Sequence, residues 1–588
     1  MMRILFRMTF AVALVLVLTA TGLWAAGAEE EPAAAADKKY VTDPTTGEVV
    51  VAPEYGGTLT YAKNSWPPNT DTLAGGRWAS QWVWGVLDKP AVADWGMDRN
   101  EYPLNLPWPT LDVLKGSLVE RWEQTDDLTI VFHLRDGVRW HDKEPMNGRE
   151  FTADDLVFNY HRMLGIGSGF TEPSPQLTAQ LAPIKVESAT AVDNTVVFTL
   201  KEPNIGALQG LVDEEAAYMY PPEVIKQHGD ATDWKVLVGT GPFELTDLVE
   251  ESSATWTRNP DYWGYDEKYP DNRLPYVDQV RALHMPEAAT YLSAIRTRKV
   301  DTGYRLSSID QVDGLQRSNP EIQMYSLFNR SNDSWGMNVQ EEPFGDIRVR
   351  KAMQMALDLE TANTTFFKGL AEMTPYGPNR LPGFYVPFEE WPEEVKKVFT
   401  YDPEGAEALL DEAGYPRGSD GIRFKTVLSH HYNRNLGYAE LAAGFWRDIG
   451  VDVEIKIMAT GPEIVAARTD RNYKMTSTEA AMLSAYPARF WSGNIHNTAN
   501  PQDPWYDSAY EALATAESHA EYQAMVREMD MYGIEQFWHV WGGMAPQIVP
   551  VQPWVIGYNG ELNLGSGQYW LQYSRMWIDS ALKQEMGY

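Results

Sequence analysis

Histidines, acids, serines and glycine runs are the residues in this sequence whose types could do chemistry, and none of them falls into a reacting pattern. The ten histidines form no H-E-x-x-H pair. His430 and His431 are adjacent, so on a regular element they point apart instead of sharing a metal ion. A Gly-x-Ser-x-Gly nucleophile elbow is absent. The 82 acids of so acidic a chain are mostly solvated faces, so no single pair argues for glycoside hydrolysis. Gly239-Thr240-Gly241-Pro242 lacks the Gly-Lys-Ser/Thr of a phosphate loop, and Gly165-Ile166-Gly167-Ser168-Gly169 completes no dinucleotide fingerprint. What remains suits holding a molecule. Tyr486, Phe490 and Trp491 precede Asn494, His496 and Asn497, and such rings stack on apolar faces while amides meet hydroxyls. Trp66 and Asn69 sit in a polar loop leaving a strand, and Trp335 and Asn338 stand in the run Trp335-Gly336-Met337-Asn338. The candidate ligand-binding residues are Trp66, Asn69, Trp335, Asn338, Tyr486, Phe490, Trp491, Asn494 and His496, with no catalytic residue, cofactor or metal expected.

These residues need elements to position them. Thr129 to Leu134 alternates as a strand, Arg135-Asp136-Gly137 is a turn, and Val138 to Trp140 follows as a second strand, giving a hairpin. Thr152 with Asp155 three residues on forms a capping box for a helix bearing Leu156, Val157, Tyr160 and Met163. Gly56 to Ala62 is a strand with Gly at its entry, and Arg77 to Leu87 fits a helix with Trp78, Trp82 and Gly85 on one face. Val349, Ala352, Met353, Ala356 and Leu357 have helical spacing. Asp402 with Pro403 starts a helix that ends before Gly414. Leu436 to Ile449 is a helix with Leu441, Phe445 and Trp446 as inward positions, and Val451 to Ile457 is a strand.

The stretch from Leu114 to Leu164, with Trp122, Asp127, Phe132, Leu134, Arg135, Gly137, Val138, Trp140, His141, Asp142, Pro145, Ala153, Asp154, Tyr160 and Arg162, resembles the signature of the extracytoplasmic solute-binding proteins of ABC importers, family 5, the dipeptide, oligopeptide and nickel class. Lys143 in place of a usual Gly and a short insertion at 146–150 are the departures. Val238 to Leu245, Asn259-Pro260-Asp261-Tyr262-Trp263, Val300-Asp301-Thr302-Gly303 and Pro343 to Met353 resemble further family motifs. The resemblance implies an α/β fold of the periplasmic-binding-protein-like type II, two lobes joined by a two-crossover hinge, with an extra domain inserted in the first lobe. On that reading the first lobe comprises 55–88, an inserted subdomain 89–237, then 238–336 and a return at 548–588, while 337–547 is the second lobe. It also implies a receptor that is not an enzyme and that closes on a peptide-class solute and presents it to an ABC permease, with an oligosaccharide as the alternative. In peptide-binding relatives an Asp in the last lobe pairs with the peptide amino terminus. Ser484 or Ala485 stands there in this chain, which puts that anchor in doubt, and the 22 tryptophans lean toward a sugar. A secreted glycan hydrolase is the reading of a different class.

Length and composition bound these expectations. A chain of 588 residues exceeds one domain. Its net charge of −33 argues against nucleic acid, and without cysteine neither disulfide nor thiolate chemistry is available. Arg3 and Arg7, the apolar run from Phe10 to Leu18 and Ala26-Gly27-Ala28 read as a secretory signal over 1–28, followed by a disordered tether at 29–54. A periplasmic monomer, not anchored through a Cys, is the expectation.

Overall fold

The computed structural model describes residues 39–74, 79–102, 104, 109–176, 184–214, 216–306, 308–327, 333–373, 383–432, 434–478, 487–494, 496–562, 564–568 and 570–588. Tyr40 to Tyr588 forms one unit. Within it lie two lobes, each built on its own sheet.

The first-lobe sheet has four strands in the order Phe243–Val249, Ser253–Arg258, Gln279–His284 and Thr58–Lys63, the last two parallel. Alternation along Thr58–Lys63 buries Leu59 and Tyr61, which join Trp82, Trp84, Phe243, Trp256 and Val280 in one core. Of the helix expected from Arg77 to Leu87, Ser80–Val83 is helical among the described residues, while Arg77 and Trp78 lie outside them. Asp301 ties the lobe together: it accepts from Thr60 N–H at 2.7 Å and from Trp554 Nε1–H at 2.7 Å. The C-terminal residues Trp554, Tyr573, Met576 and Ile578 share this core.

A second four-stranded sheet, wholly antiparallel, runs Val119–Asp126, Thr129–Leu134, Thr195–Leu200 and Val186–Val192. Thr129–Leu134 forms its hairpin with the preceding Val119–Asp126, and Val138 to Trp140 makes only an isolated bridge from Arg139 to Glu150. Gly137 does take φ +74, but the turn it makes leads out of the sheet. Helix Ala153–Leu164 covers the sheet and begins with the Thr152/Asp155 capping box. The two glycine-flanked signatures meet at His141. Its backbone N–H donates to Gly239 O at 2.7 Å, its Nε2–H to Gly241 O at 2.9 Å, and its Nδ1 accepts from Gly239 N–H at 3.3 Å. Burial pulls the His141 pKa down to about 4, so the ring stays neutral and keeps one donor and one acceptor. A Cβ on Gly239 would lie 1.7 Å from Val86 O, so a residue without a side chain is required at this crossing.

The second-lobe sheet has five strands in the order Val451–Met458, Phe424–His431, Met475–Ser477, Ser334–Met337 and His539–Trp541. Helix Ile347–Met355, capped by Asp346, helix Pro403–Glu412, capped by Asp402, and helix Leu436–Asp448 pack around Trp335, Met353, Leu428 and Trp446. Leu441 and Phe445 are only partly buried, and Tyr438, Ala439, Ala442 and Ala443 fill the inner face with Trp446. Ser334–Met337 is an interior strand of this sheet, so the chain has changed lobes before Trp335 and not at 336. Gln323–Leu327, the strand that precedes this change, pairs antiparallel with Gln547–Val551, and Leu327, Val549 and Val551 still belong to the first-lobe core.

Candidate functional site

A cavity of about 660 Å³ opens where the two lobes face each other. One wall is Ser308, Ile309 and Asp310, the start of helix Ile309–Ser318, which is seated in the first lobe through Val312 and Leu315. The opposite wall belongs to the second lobe. It comprises Asp333, Thr365 to Lys368, Tyr432 with Arg434 to Leu436, and Met544 to Gln547 leading into the returning hinge strand.

Local structure explains why these side chains gather. Strand Phe424–His431 runs parallel to both neighbours, and the loop leaving its carboxyl end carries Tyr432 and Arg434. Ligands collect at such ends. Asn435 then caps helix Leu436–Asp448, accepting from Tyr438 N–H at 3.2 Å, which fixes where the loop stops. Thr365 and Phe366 end the π-helical turn Ala362–Phe366, a form often found at functional sites. Lys368 follows with φ +53, a left-handed backbone unusual for a long side chain. Its ammonium reaches across the lobe boundary, donating to Asp310 Oδ1 at 2.7 Å and Asp313 Oδ2 at 2.5 Å.

Asp333 stands just before strand Ser334–Met337. Its backbone is held on both sides, the N–H donating to Gly543 O at 3.0 Å and the carbonyl accepting from Gly542 N–H at 2.8 Å. Burial pushes its carboxyl up to about 6, and the nearby Arg434 charge only partly opposes this. The lining therefore presents two charges of each sign, the aromatic rings of Phe366, Phe367 and Tyr432, and the apolar Ile309, Leu436 and Met544.

Most of the residues singled out from sequence lie elsewhere. Trp335, 2% exposed, packs on Tyr438 and edge-on to Trp446 in the second-lobe core. Phe490 is fully buried against Tyr506 and Trp538. Asn338 is buried, and its amide donates to Tyr473 O at 3.1 Å and accepts from Asn500 Nδ2–H at 3.2 Å. These three hold the fold, because their strand and loop positions face the core. Asn494 braces its own loop, donating to Ala488 O at 2.8 Å and accepting from His496 N–H at 2.9 Å. His496 is exposed, with Nδ1 3.1 Å from Arg468 Nη1. Trp491 stacks on Tyr510 with centroids 4.8 Å apart. In the first lobe Trp66 meets Trp82 edge-on, and Asn69 accepts from Asp71 N–H at 3.1 Å. None of these eight lines the cavity. Tyr486, Ser484 and Ala485 lie outside the described residues.

His430 and His431 are each committed to the neighbouring strand, with His430 Nδ1 3.2 Å from Ser477 Oγ and His431 Nε2 3.3 Å from Thr476 Oγ1. Among the described residues no three His, Cys, Asp or Glu side chains cluster as metal ligands. Sequence reasoning passed over Asp333, Lys368, Tyr432 and Arg434. The signal that could have found them is Asn435 just before the helix, a capping residue that marks the stretch before it as a short loop between strand and helix.

Comparison with known proteins agrees with this architecture. Residues 113–502 match the family described as bacterial extracellular solute-binding proteins, family 5. A di/tripeptide-binding protein 1 of Pseudomonas aeruginosa is 26% identical over 426 residues, 68% of this chain and 74% of the relative. A dipeptide-binding protein of Escherichia coli is 27% identical over 382 residues, 61% of this chain and 66% of the relative. Among solved structures, the periplasmic binding protein DppA of Helicobacter pylori in complex with a peptide superposes with a TM-score of 0.67 at 20% identity, covering 90% of this chain and 99% of that one. With a family match over about two thirds of its length and a two-lobed α/β fold, the chain belongs to the bacterial extracellular solute-binding proteins, family 5.

Proposed function

We propose that this protein captures a short peptide in the cavity between its lobes and hands it to the membrane permease of an ABC importer, acting as a monomer outside the cytoplasmic membrane. The observation that carries the reading is the lining. Charges of both signs stand with aromatic and apolar surface around one half-open space, which matches a solute with an ammonium, a carboxylate and side chains between them. At about 660 Å³ the cavity falls within the usual range for small ligands and is a fit for a peptide of a few residues. Relatives named for di- and tripeptides support the same class.

Function of this kind requires no bond to be broken. It requires only that the solute bind the closed arrangement more tightly than the open one. The pair formed by Lys368 with Asp310 and Asp313 joins second lobe to first at the cavity wall, so it forms only when the lobes approach. An oligosaccharide has less support than the sequence suggested, because Phe490 is core and Trp491 is stacked away from the cavity lining. Among the described residues no helix is long and apolar enough to cross a membrane.

A thermal-shift screen of di- and tripeptides beside cello- and malto-oligosaccharides tests the reading. A solute at 100 times its dissociation constant stabilises by about 2.7 kcal/mol, which moves the melting transition measurably. Peptides are expected to shift it and sugars not. A shift with sugars alone overturns the peptide reading.

A further inference from the structure

We propose that the bridge from Lys368 to Asp310 and Asp313 is a strap across the cavity that limits how long a solute the site can hold. Lys368 and Asp310 are then specificity-determining residues. The inference rests on the peptide-capture reading above and assigns the device that sets the length of its solute.

The strap follows from which residues line the space and what they bond. Asp310 belongs to the first-lobe wall and Lys368 to the second-lobe wall, and both line the cavity. Lys368 Nζ donates to Asp310 Oδ1 at 2.7 Å and to Asp313 Oδ2 at 2.5 Å. The two acids are three residues apart on helix Ile309–Ser318, so they share a face and one ammonium reaches both. A bond between opposite walls bounds the space on that side, and a chain can extend past it only after the bridge is broken.

Both feet of the strap are fixed. Lys368 has φ +53, a left-handed backbone that strains a residue with a side chain, and such strain persists only where the surroundings impose it. Asn363, within the π-helical turn Ala362–Phe366, imposes it here: its carbonyl accepts from Gly369 N–H at 2.8 Å and its Oδ1 from Ala371 N–H at 3.1 Å. Glu372 and Met544 then exchange backbone bonds of 3.0 and 2.6 Å, which tie this loop to the segment leading into strand Gln547–Val551. On the other side Val312 and Leu315 seat the helix in first-lobe packing. A solute too long for the space cannot push either foot aside and loses the affinity needed to part them. The bridge is largely exposed to water, so that loss is modest and is screened by salt.

The test is calorimetry at low ionic strength with two probes, Ala-Ser-Ala and an alternating Ala-Ser octapeptide, on wild type and two variants. Lys368→Gly removes the strap and suits the left-handed backbone. The double variant Asp310→Asn with Asp313→Asn breaks the bridge from the other lobe and keeps Lys368. Wild type is expected to prefer the tripeptide, and in both variants that preference should fall about two- to tenfold, the range of two exposed ion pairs. High salt should lower it in wild type as well. A wild type that binds both lengths equally, or a preference unchanged in the variants, overturns the strap and leaves peptide capture standing. The strap is also overturned if Lys368→Gly weakens both peptides alike while the double variant binds as wild type does, because Lys368 then touches the solute itself. Binding of neither peptide to wild type removes the peptide reading, and the strap with it. Neither solute-free variant should melt markedly lower than wild type, since the bridge is exposed. A marked drop in both assigns the bridge to the fold and refutes the proposal.

Discussion

Replacing Arg162 with Met tests whether the family signature builds the scaffold or the site. Arg162, on the helix Ala153–Leu164, places Nη2 2.6 Å from Asp71 Oδ2, and the two side chains are 8% and 0% exposed. The pair pins the loop that follows the first-lobe strand Thr58–Lys63 to the helix of the neighbouring subdomain. Removing one member of a buried pair costs about 3–5 kcal/mol, because a charge is left without compensation. Asp71 also accepts backbone N–H from Leu73 at 3.0 Å, Ala74 at 3.2 Å and Ala231 at 2.9 Å, and these hold part of its charge, so the expected loss sits near the lower end, about 3 kcal/mol. Equilibrium urea unfolding followed by tryptophan fluorescence measures it. The double variant Arg162→Met with Asp71→Asn should recover part of the loss, since the orphan charge goes too. Solute affinity should hold within twofold, as neither residue lines the cavity. A single-variant loss below about 1 kcal/mol, the range of exposed pairs, refutes the argument.

Other expectations concern the remaining buried and interlobe groups. Burial raises the Asp88 carboxyl to about 6, so the fold favours its protonated form; that contribution is complete below the ordinary value of 3.8 and is lost as pH rises to about 6. The melting-temperature difference between Asp88→Asn and wild type should therefore move in favour of the variant across that window, and a constant offset contradicts the assignment. Lys368→Gln should weaken solute binding by about two- to fivefold at low ionic strength and by much less in 1 M salt, because the pair it breaks is solvent-exposed and screened. A loss that persists in high salt shows that Lys368 touches the solute. Trp335→Ala should cost about 3–5 kcal/mol of stability by opening a core cavity, without a specific loss of affinity in the folded fraction, as calorimetry beside denaturation would show.

How much was legible in sequence depended on how local each signal is. The Thr152/Asp155 box, the Asp402 cap and the alternation from Val451 are written within a few residues, and the structure places an element at each. The partner of strand Thr129–Leu134 was misread because Asp136-Gly137 is a good turn, yet it turns the chain out of the sheet. Trp335 and Asn338 looked like ligand residues because they stand near the expected boundary between the lobes, while the direction of Trp335 is set by neighbouring strands distant in sequence, Met475–Ser477 and His539–Trp541. Asp333 had no sequence signal at all. One acid among 82 is conspicuous only when the space in front of it is visible.

The strand that leads toward the second lobe and the strand that leads back from it are bonded to each other along Gln323–Leu327 and Gln547–Val551. Two separate tethers would let one body roll, slide and twist on the other, whereas a ladder of hydrogen bonds resists shear between its rails and yields most easily to flexing out of its own plane. Such a ladder favours the opening of a book with a flat spine, along one line and back to the same register, over the motion of beads on strings.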